Sequence, residues 1–174
     1  RRLGLPPADA AVELLVSTGL RAGCVFAQPP TNSASSVLAL STHPAQMGGS
    51  DAIYAGGRPH PRGWGAFARM LAQVRSGDWT WSEAQHHLST AAARRFGLAG
   101  RGTLEVGSVA DVALVDPGTV GDQATYDDPR RLATGVTDVV VAGRHVLADG
   151  ELTGLTPGRA LRPSAVSADA PHRG

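Results

Sequence analysis

Apolar residues recur at the spacing of an amphipathic helix in four stretches of the chain. The first stretch follows Pro7, which the first turn of a helix tolerates, and the last two stretches end at Gly77 and Gly97, where glycine favours a helix end. Hydroxyl side chains before Val37 can cap the second stretch. The pattern therefore predicts helices at residues 7–19, 33–40, 66–75 and 81–96.

Short apolar and β-branched runs between and after these helices predict strands. In the first half of the chain the runs alternate with helices, as they do in parallel α/β units. After residue 98 the runs are separated by glycine-containing turns, which indicates a small β domain. The predicted strands cover residues 21–27, 46–51, 103–106, 111–116, 138–141 and 144–147.

The change of pattern near residue 98 predicts the domain organisation. Residues 1–98 form an α/β part and residues 99–162 a β domain, with a long polar loop at 117–135 and a tail at 163–174. Functional side chains of parallel α/β units stand at the carboxyl ends of the strands. Asp51 ends the second predicted strand and is therefore the first candidate site residue.

Composition narrows the function classes. The net charge is +1 and no basic block is present, so we expect no nucleic-acid partner. No apolar run is long enough for a membrane span, and Cys24 has no second cysteine with which to form a disulfide. For these reasons we expect a cytoplasmic protein without a membrane partner. All 16 basic side chains are arginine, which excludes mechanisms that need a lysine from this chain. Because the sequence opens at Arg1 rather than methionine, we expect a fragment.

Three polar residues form the candidate site, and each has a structural alternative. Asp51 could serve in an Asx turn or as a helix cap, and His60 and Arg62 could be solvated loop residues. The six histidines include no His-x-His pair, and the adjacent His86 and His87 point about 100° apart on a helix, so they are poor joint metal ligands. Cys24 and the three tryptophans are interpreted as packing residues.

Several motifs, taken in order, resemble a known family. The chain is similar to the C-terminal portion of N-acyl-D-amino-acid deacylases (D-aminoacylases) of the amidohydrolase superfamily. The resemblance spans about residues 7–163. The motifs are Gly48-Gly49-Ser50-Asp51, His60-Pro61-Arg62, Asp127-Asp128-Pro129, the glycine-rich strand pair at residues 101–116 and the terminal hairpin at residues 139–154.

This resemblance implies a fold and a chemistry. The fold would be the C-terminal part of a metal-dependent (β/α)8 barrel, followed by a small β-sandwich-type domain. In such enzymes zinc lies above the strand ends, and an aspartate after the last strand accepts a proton from metal-bound water. That position matches Asp51, as catalytic residue and as a ligand of Zn2+. From their placement just downstream, His60 and Arg62 are expected to bind the substrate, with the guanidinium on its α-carboxylate.

Departures from the family leave two functional interpretations open. Ala52 follows the aspartate where the family commonly has glycine, which would strain or alter a turn that needs positive φ. The paired histidines and the middle-strand ligands are absent, so the other zinc ligands are expected from a missing N-terminal part. In the first interpretation, the chain is the C-terminal part of a zinc-dependent amidohydrolase that hydrolyses the amide bond of N-acyl-D-amino acids and is inactive without the missing part. Alternatively it is a non-catalytic remnant or assembly module, which pairs with an N-terminal half or forms a homo-oligomer.

Overall fold

The computed structural model describes residues 4–25 and 31–163, in which all helices precede all strands. The helices are α1 (Pro7–Ser17), α2 (Ala34–Ser41), α3 (Arg62–Ser76), α4 (Trp81–Gln85) and α5 (Ala91–Arg95), and a π-helical turn (His86–Thr90) joins α4 to α5. The strands are β1 (Val112–Val115), β2 (Val136–Val141), β3 (Arg144–Ala148) and β4 (Glu151–Leu152). Within this part of the chain, no helix is long and apolar enough to cross a membrane.

Helices α1 and α2 confirm the first two predicted helices, but neither buries a side chain. Pro7 lies in the first turn of α1, and the Ser33 hydroxyl caps α2 by accepting the N–H of Ser36 at 3.1 Å. The apolar face of α1 remains open, with Val12 59% and Val16 68% exposed. Both helices thus present apolar surface that the described residues leave uncovered. Packing normally supplies most of the stability of a short helix, and these two helices receive little of it from the described residues.

Three of the predicted strands are wrong within the described residues. Residues 21–25, 46–51 and 103–106 form no strand, while residues 26 and 27 of the first run lie outside the described part. A strand needs a hydrogen-bonding neighbour, and none of these runs has one among residues 4–25 and 31–163. The exposure of Leu104 (78%) and Val106 (109%) shows that the third run has no packing partner there either. Most of the predicted tail, residues 164–174, also lies outside the described residues.

Helix α3 begins at Arg62, four residues before the predicted start, so Arg62 belongs to a helix and not to a loop. Gly63 and Gly65 are poor helix formers, and they concealed this first turn from the sequence pattern. The helix ends, as predicted, at Gly77, whose φ of 82° lies in the left-handed region that glycine enters without steric cost.

The predicted helix over residues 81–96 is confirmed, with a π-helical turn in its middle. Thr80 caps it: its hydroxyl accepts the N–H of Glu83 at 3.2 Å, while the Glu83 carboxylate accepts the N–H of Thr80 at 2.7 Å. The hydrogen bonds from the Thr80 backbone and hydroxyl lower the pKa of the Glu83 carboxyl. His87, inside the π-helical turn, is 2% exposed.

The strands form one antiparallel sheet in the order β1-β2-β3-β4. Two-residue turns join its last three strands. Ala142 and Gly143 have φ of 48° and 76°, and Asp149 and Gly150 have φ of 50° and 82°, as hairpin turns with two left-handed residues require. The β character of this region is confirmed, but the described residues form a single sheet and no second layer of a sandwich.

The polar segment 117–135 contacts helix α3 near both of its ends. It contains one isolated β-bridge, between Gly121 and Thr134. Near the helix end, Arg75 donates to the carbonyl oxygens of Gly118 and Val120 at 3.2 and 3.1 Å. Near the helix start, the carboxylate of Asp122 lies directly against Gly65. Val120 is 1% exposed, so this segment, although irregular, belongs to the small core.

Replacing Gly65 with alanine is expected to lower the free energy of unfolding by about 1–3 kcal/mol, because the added Cβ would occupy the place of the Asp122 carboxylate. Gly63→Ala is the matched control on the same helix. Its Cβ would lie 3.4 Å from the Tyr54 ring, so the change should be neutral or stabilising by at most about 1 kcal/mol. Urea denaturation measures both values, and equal effects would contradict the Gly65–Asp122 contact.

Candidate active site

The segment that leads to Asp51 is docked on the π-helical turn by three hydrogen bonds. The Nε2 atom of His86 lies 2.9 Å from the carbonyl oxygen of Pro44, and Nδ1 of His87 lies 3.0 Å from that of Gln46. The N–H of Gly48 donates to the carbonyl oxygen of His87 at 2.9 Å. Every second residue of the segment is thus tied to the turn, which fixes the path of the chain just before Asp51.

Gly48 fits this docking because it has no side chain. A Cβ there would collide with the Leu88 side chain and lie 3.0 Å from the sulfur of Met70. The ring of Trp79 lies 5.0 Å from that of His87, and Trp79 is 2% exposed. Trp79 is therefore a packing residue, as the sequence indicated. The two histidines have the same structural use, since each holds a backbone carbonyl of the docked segment.

Asp51 stands at the end of the docked segment in the left-handed region, with φ of 47°. Aspartate enters this region more readily than most residues. Its side chain is 88% exposed. The positive φ lies on Asp51 itself and not on Ala52, so the expected strain at Ala52 is absent.

Arg62 and Asp51 contact each other at two points. The guanidinium NH2 group lies 2.9 Å from Oδ2 of Asp51, and Nε donates to the backbone carbonyl oxygen of Asp51 at 2.8 Å. The Arg62 side chain is 36% exposed. An ion pair this open to water contributes little stability, so its importance is geometric: it fixes a carboxylate beside a guanidinium.

His60 joins this pair to the long loop. Its Nδ1 accepts the backbone N–H of Arg62 at 3.1 Å, and its Nε2 lies 3.2 Å from the hydroxyl of Tyr126. Burial lowers the pKa of the His60 imidazole, as does the neighbouring Arg62 cation, while Asp51 raises it less strongly. The ring is therefore neutral near pH 7, which suits an Nδ1 that accepts a hydrogen bond.

The structure brings the three predicted site residues together and adds Tyr126, which the sequence did not reveal. Tyr126 contacts His60, while Arg130 lies 5.9 Å from the Trp64 ring and donates to the carbonyl oxygen of Gly56 at 2.8 Å. Both residues come from the segment 117–135, some 65 positions or more downstream of the residues they contact. The sequence could have indicated this contact only if the polar segment and the His-Pro-Arg motif had been considered together.

Two cavities border these elements. A cavity of about 330 Å³ lies between α3 and the long loop, and its lining includes His60, Arg62, Arg69 and Tyr126 but not Asp51. A larger cavity of about 620 Å³ lies between the helices and the sheet and is walled mainly by apolar side chains. None of the predicted site residues lines the larger cavity.

The residues present do not form a metal centre by themselves. Among the described residues, no three His, Cys, Asp or Glu side chains are close enough to share a metal ion. Asp51 is a single carboxylate, and one of its oxygens already faces Arg62. A zinc site normally uses three or four protein ligands, so the described part of the chain does not supply a complete set.

The class of the protein follows from comparison with known families. Residues 6–147 match the model of the amidohydrolase family, and the chain belongs to that family.

Named relatives narrow the comparison. The chain is 40% identical over 121 residues to D-aminoacylase, and 41% identical over 138 residues to N-acyl-D-glutamate deacylase, both from Alcaligenes xylosoxydans xylosoxydans. These matches cover 68% and 78% of the chain, but only 25% and 28% of the relatives. The resemblance to the N-acyl-D-amino-acid deacylases is thus confirmed, and the chain spans about a quarter of the length of the relatives it matches.

Solved structures agree. The fold matches N-acyl-D-glutamate deacylase from Bordetella bronchiseptica, complexed with zinc and a phosphonate inhibitor, with a TM-score of 0.62 and 40% identity, over 68% of this chain and 26% of that one. It also matches a D-aminoacylase mutant in complex with CuCl2, with a TM-score of 0.70 and 35% identity, over 75% of this chain and 28% of that one. The matched structures thus include one complexed with zinc and one complexed with copper.

Replacing His87 with leucine is expected to lower the free energy of unfolding by about 1–3 kcal/mol, because the Gln46 carbonyl loses its partner at a buried position. His86→Leu is the matched control, since it removes the corresponding bond to Pro44 at an exposed position where water can replace it. We expect it to cost about 0.5 kcal/mol or less. Denaturation followed by circular dichroism gives both values; a larger loss for His86→Leu would refute the assignment of the anchor to His87.

Proposed function

We propose that this chain is the C-terminal part of a zinc-dependent amidohydrolase that hydrolyses the amide bond of N-acyl-D-amino acids to a carboxylate and a free amine. The proposal rests on the family, on deacylase relatives about 40% identical, and on one observation in the chain itself. That observation is the two-point contact between Arg62 and Asp51. It supports the proposal because amide hydrolysis needs a carboxylate that moves a proton, and an anionic substrate needs a cation close to that carboxylate.

Asp51 is proposed as the catalytic residue. Amide hydrolysis needs a group that takes a proton from the attacking water and then delivers a proton to the leaving nitrogen, and one carboxylate can do both in turn. The exposure of Asp51 and its fixed position at the end of the docked segment support this role.

Of the two residues predicted to bind the substrate, Arg62 is proposed to make the contact itself, and His60 to assist it. The guanidinium of Arg62 already contacts two oxygens of Asp51: the carboxylate through Nη2 and the backbone carbonyl through Nε. The α-carboxylate of an N-acyl amino acid offers the same kind of acceptor, and arginine recognises it with two parallel hydrogen bonds. His60 contributes through its contact with the backbone of Arg62.

The metal is part of this proposal. Asp51 would be one ligand of Zn2+, and the other ligands would come from the part of its relatives' length that this chain does not span. Such an ion, when bound, lowers the pKa of a water ligand toward neutrality. A (β/α)8 barrel completed by those segments, a second layer on the β-sandwich-type domain and a cytoplasmic location belong to the same proposal.

The uncovered apolar surface favours one second candidate. The exposed face of α1 and the cavity of about 620 Å³ are consistent with a non-catalytic remnant or assembly module that covers its apolar surface with an N-terminal half or another copy of itself. This candidate needs no role for Asp51, and a substitution there can therefore separate the two.

Asp51→Asn is expected to reduce hydrolysis of N-acetyl-D-methionine and N-acyl-D-glutamate by at least about 100-fold, because the proton acceptor is lost. Asp149→Asn is the matched control: Asp149 is also exposed and left-handed, with φ of 50°, and asparagine tolerates that conformation. Zinc content and turnover are measured for each chain alone, and together with a segment that supplies the barrel strands and the missing ligands.

Activity that needs the added segment and is lost only in Asp51→Asn supports the proposal. Inactivity of every combination favours the remnant or assembly module. Turnover and stoichiometric zinc in the chain alone would show that its own residues hold the metal, against the ligand assignment given above.

A further inference from the structure

Helix α3 receives no capping hydrogen bond from the side chain of its N-cap residue, Pro61. The N–H of Arg62, its first residue, has no partner inside the helix, as is general for a first turn. The preceding residue is Pro61, whose side chain has no acceptor and forms no capping hydrogen bond. The acceptor comes instead from one residue further back, where Nδ1 of His60 lies 3.1 Å from the Arg62 nitrogen.

The second ring nitrogen of His60 is also in use. Nε2 lies 3.2 Å from the Tyr126 hydroxyl, and the two rings meet edge to face with centroids 5.3 Å apart. Because Nδ1 accepts a backbone N–H, the neutral ring must carry its proton on Nε2, which then donates to the Tyr126 oxygen. Neither nitrogen is left for a direct contact with a substrate.

We infer that His60 is a positioning residue, which caps the first turn of α3 and so aims the Arg62 guanidinium at the place where Asp51 and the substrate carboxylate meet. Its bond to Tyr126 braces the cap against the loop that also contacts Gly65 through Asp122. The inference rests on the proposed function, since it assigns Arg62 to the substrate. It replaces direct substrate contact by His60 with action through Arg62.

Two substitutions separate the two bonds of the imidazole. His60→Asn places an amide oxygen near the position of Nδ1, where it can accept the Arg62 N–H as an Asx turn does, but it is too short to reach Tyr126. His60→Gln places an amide near Nε2, where it can reach Tyr126, and leaves the Arg62 N–H without its acceptor. The two variants have similar size and polarity, so each controls for the other.

The first measurement needs no activity. Nitrogen-15 NMR of the imidazole, assigned with the His60 variants, reports which ring nitrogen carries the proton, and amide exchange reports the Arg62 N–H. In the parent chain we expect the imidazole proton on Nε2. We expect a protected Arg62 amide both in the parent chain and in His60→Asn. In His60→Gln that amide should exchange about ten times faster, from the loss of one hydrogen bond. A proton on Nδ1, or equal protection in both variants, would overturn the inference.

The second measurement uses the hydrolysis assay with the barrel segment supplied. His60→Gln is expected to raise KM about tenfold with little change in kcat, whereas His60→Asn should stay within about threefold of the parent in both. A fall in kcat of the same size in both variants would instead indicate that the ring itself takes part in the reaction. If the parent chain shows no turnover in any combination, the proposed function fails, while the NMR result still decides the role of His60.

Discussion

The docking of residues 44–48 on the π-helical turn is the constraint on which the candidate site depends. This segment has no neighbouring strand among the described residues, so no sheet directs its path. The carbonyl oxygens of Pro44 and Gln46 and the N–H of Gly48 are bonded to two adjacent histidines instead. The rings of His86 and His87 lie with their centroids 5.1 Å apart, so one turn can hold two successive points of the passing chain.

The second constraint is the contact of segment 117–135 with α3. It contacts the helix near both ends, through Arg75 at one end and Gly65 at the other, and it reaches His60 through Tyr126. The docked segment positions Asp51, and helix α3, held by segment 117–135, positions Arg62 next to it. The site is thus formed by segments distant in sequence, and a change in the irregular segment 117–135 can alter it without touching Asp51.

Much of the local structure was predictable from the sequence, because caps and turns are local. Helices α1 and α2, the helix that begins after Thr80, and the hairpin at Ala142 and Gly143 all follow from such signals. The start of α3 was missed because its cap is a histidine two residues upstream and its first turn contains glycine. Runs such as residues 103–106 failed as strands because pairing is a property of neighbours, which a local pattern cannot supply.

The candidate site was predictable only in part, for the same reason. Asp51, His60 and Arg62 carry family motifs, but the ion pair and the cap that connect them depend on φ at Asp51 and on the helical state of Arg62. Tyr126 and Arg130 gave no local signal, since their contacts lie far away along the chain. The described residues hold no three-ligand cluster, and the chain spans about a quarter of the length of the relatives it matches.

Native-state hydrogen exchange at the Gly48 amide tests the central claim most directly, because this N–H donates to the His87 carbonyl at 2.9 Å and has no role in chemistry. If the docked segment is held on the π-helical turn, Gly48 should exchange only when α4 and α5 open, with protection equal to that of their backbone amides. Exchange at the rate of an unstructured peptide, while those helices stay protected, would contradict the docking and with it the placement of Asp51 beside Arg62.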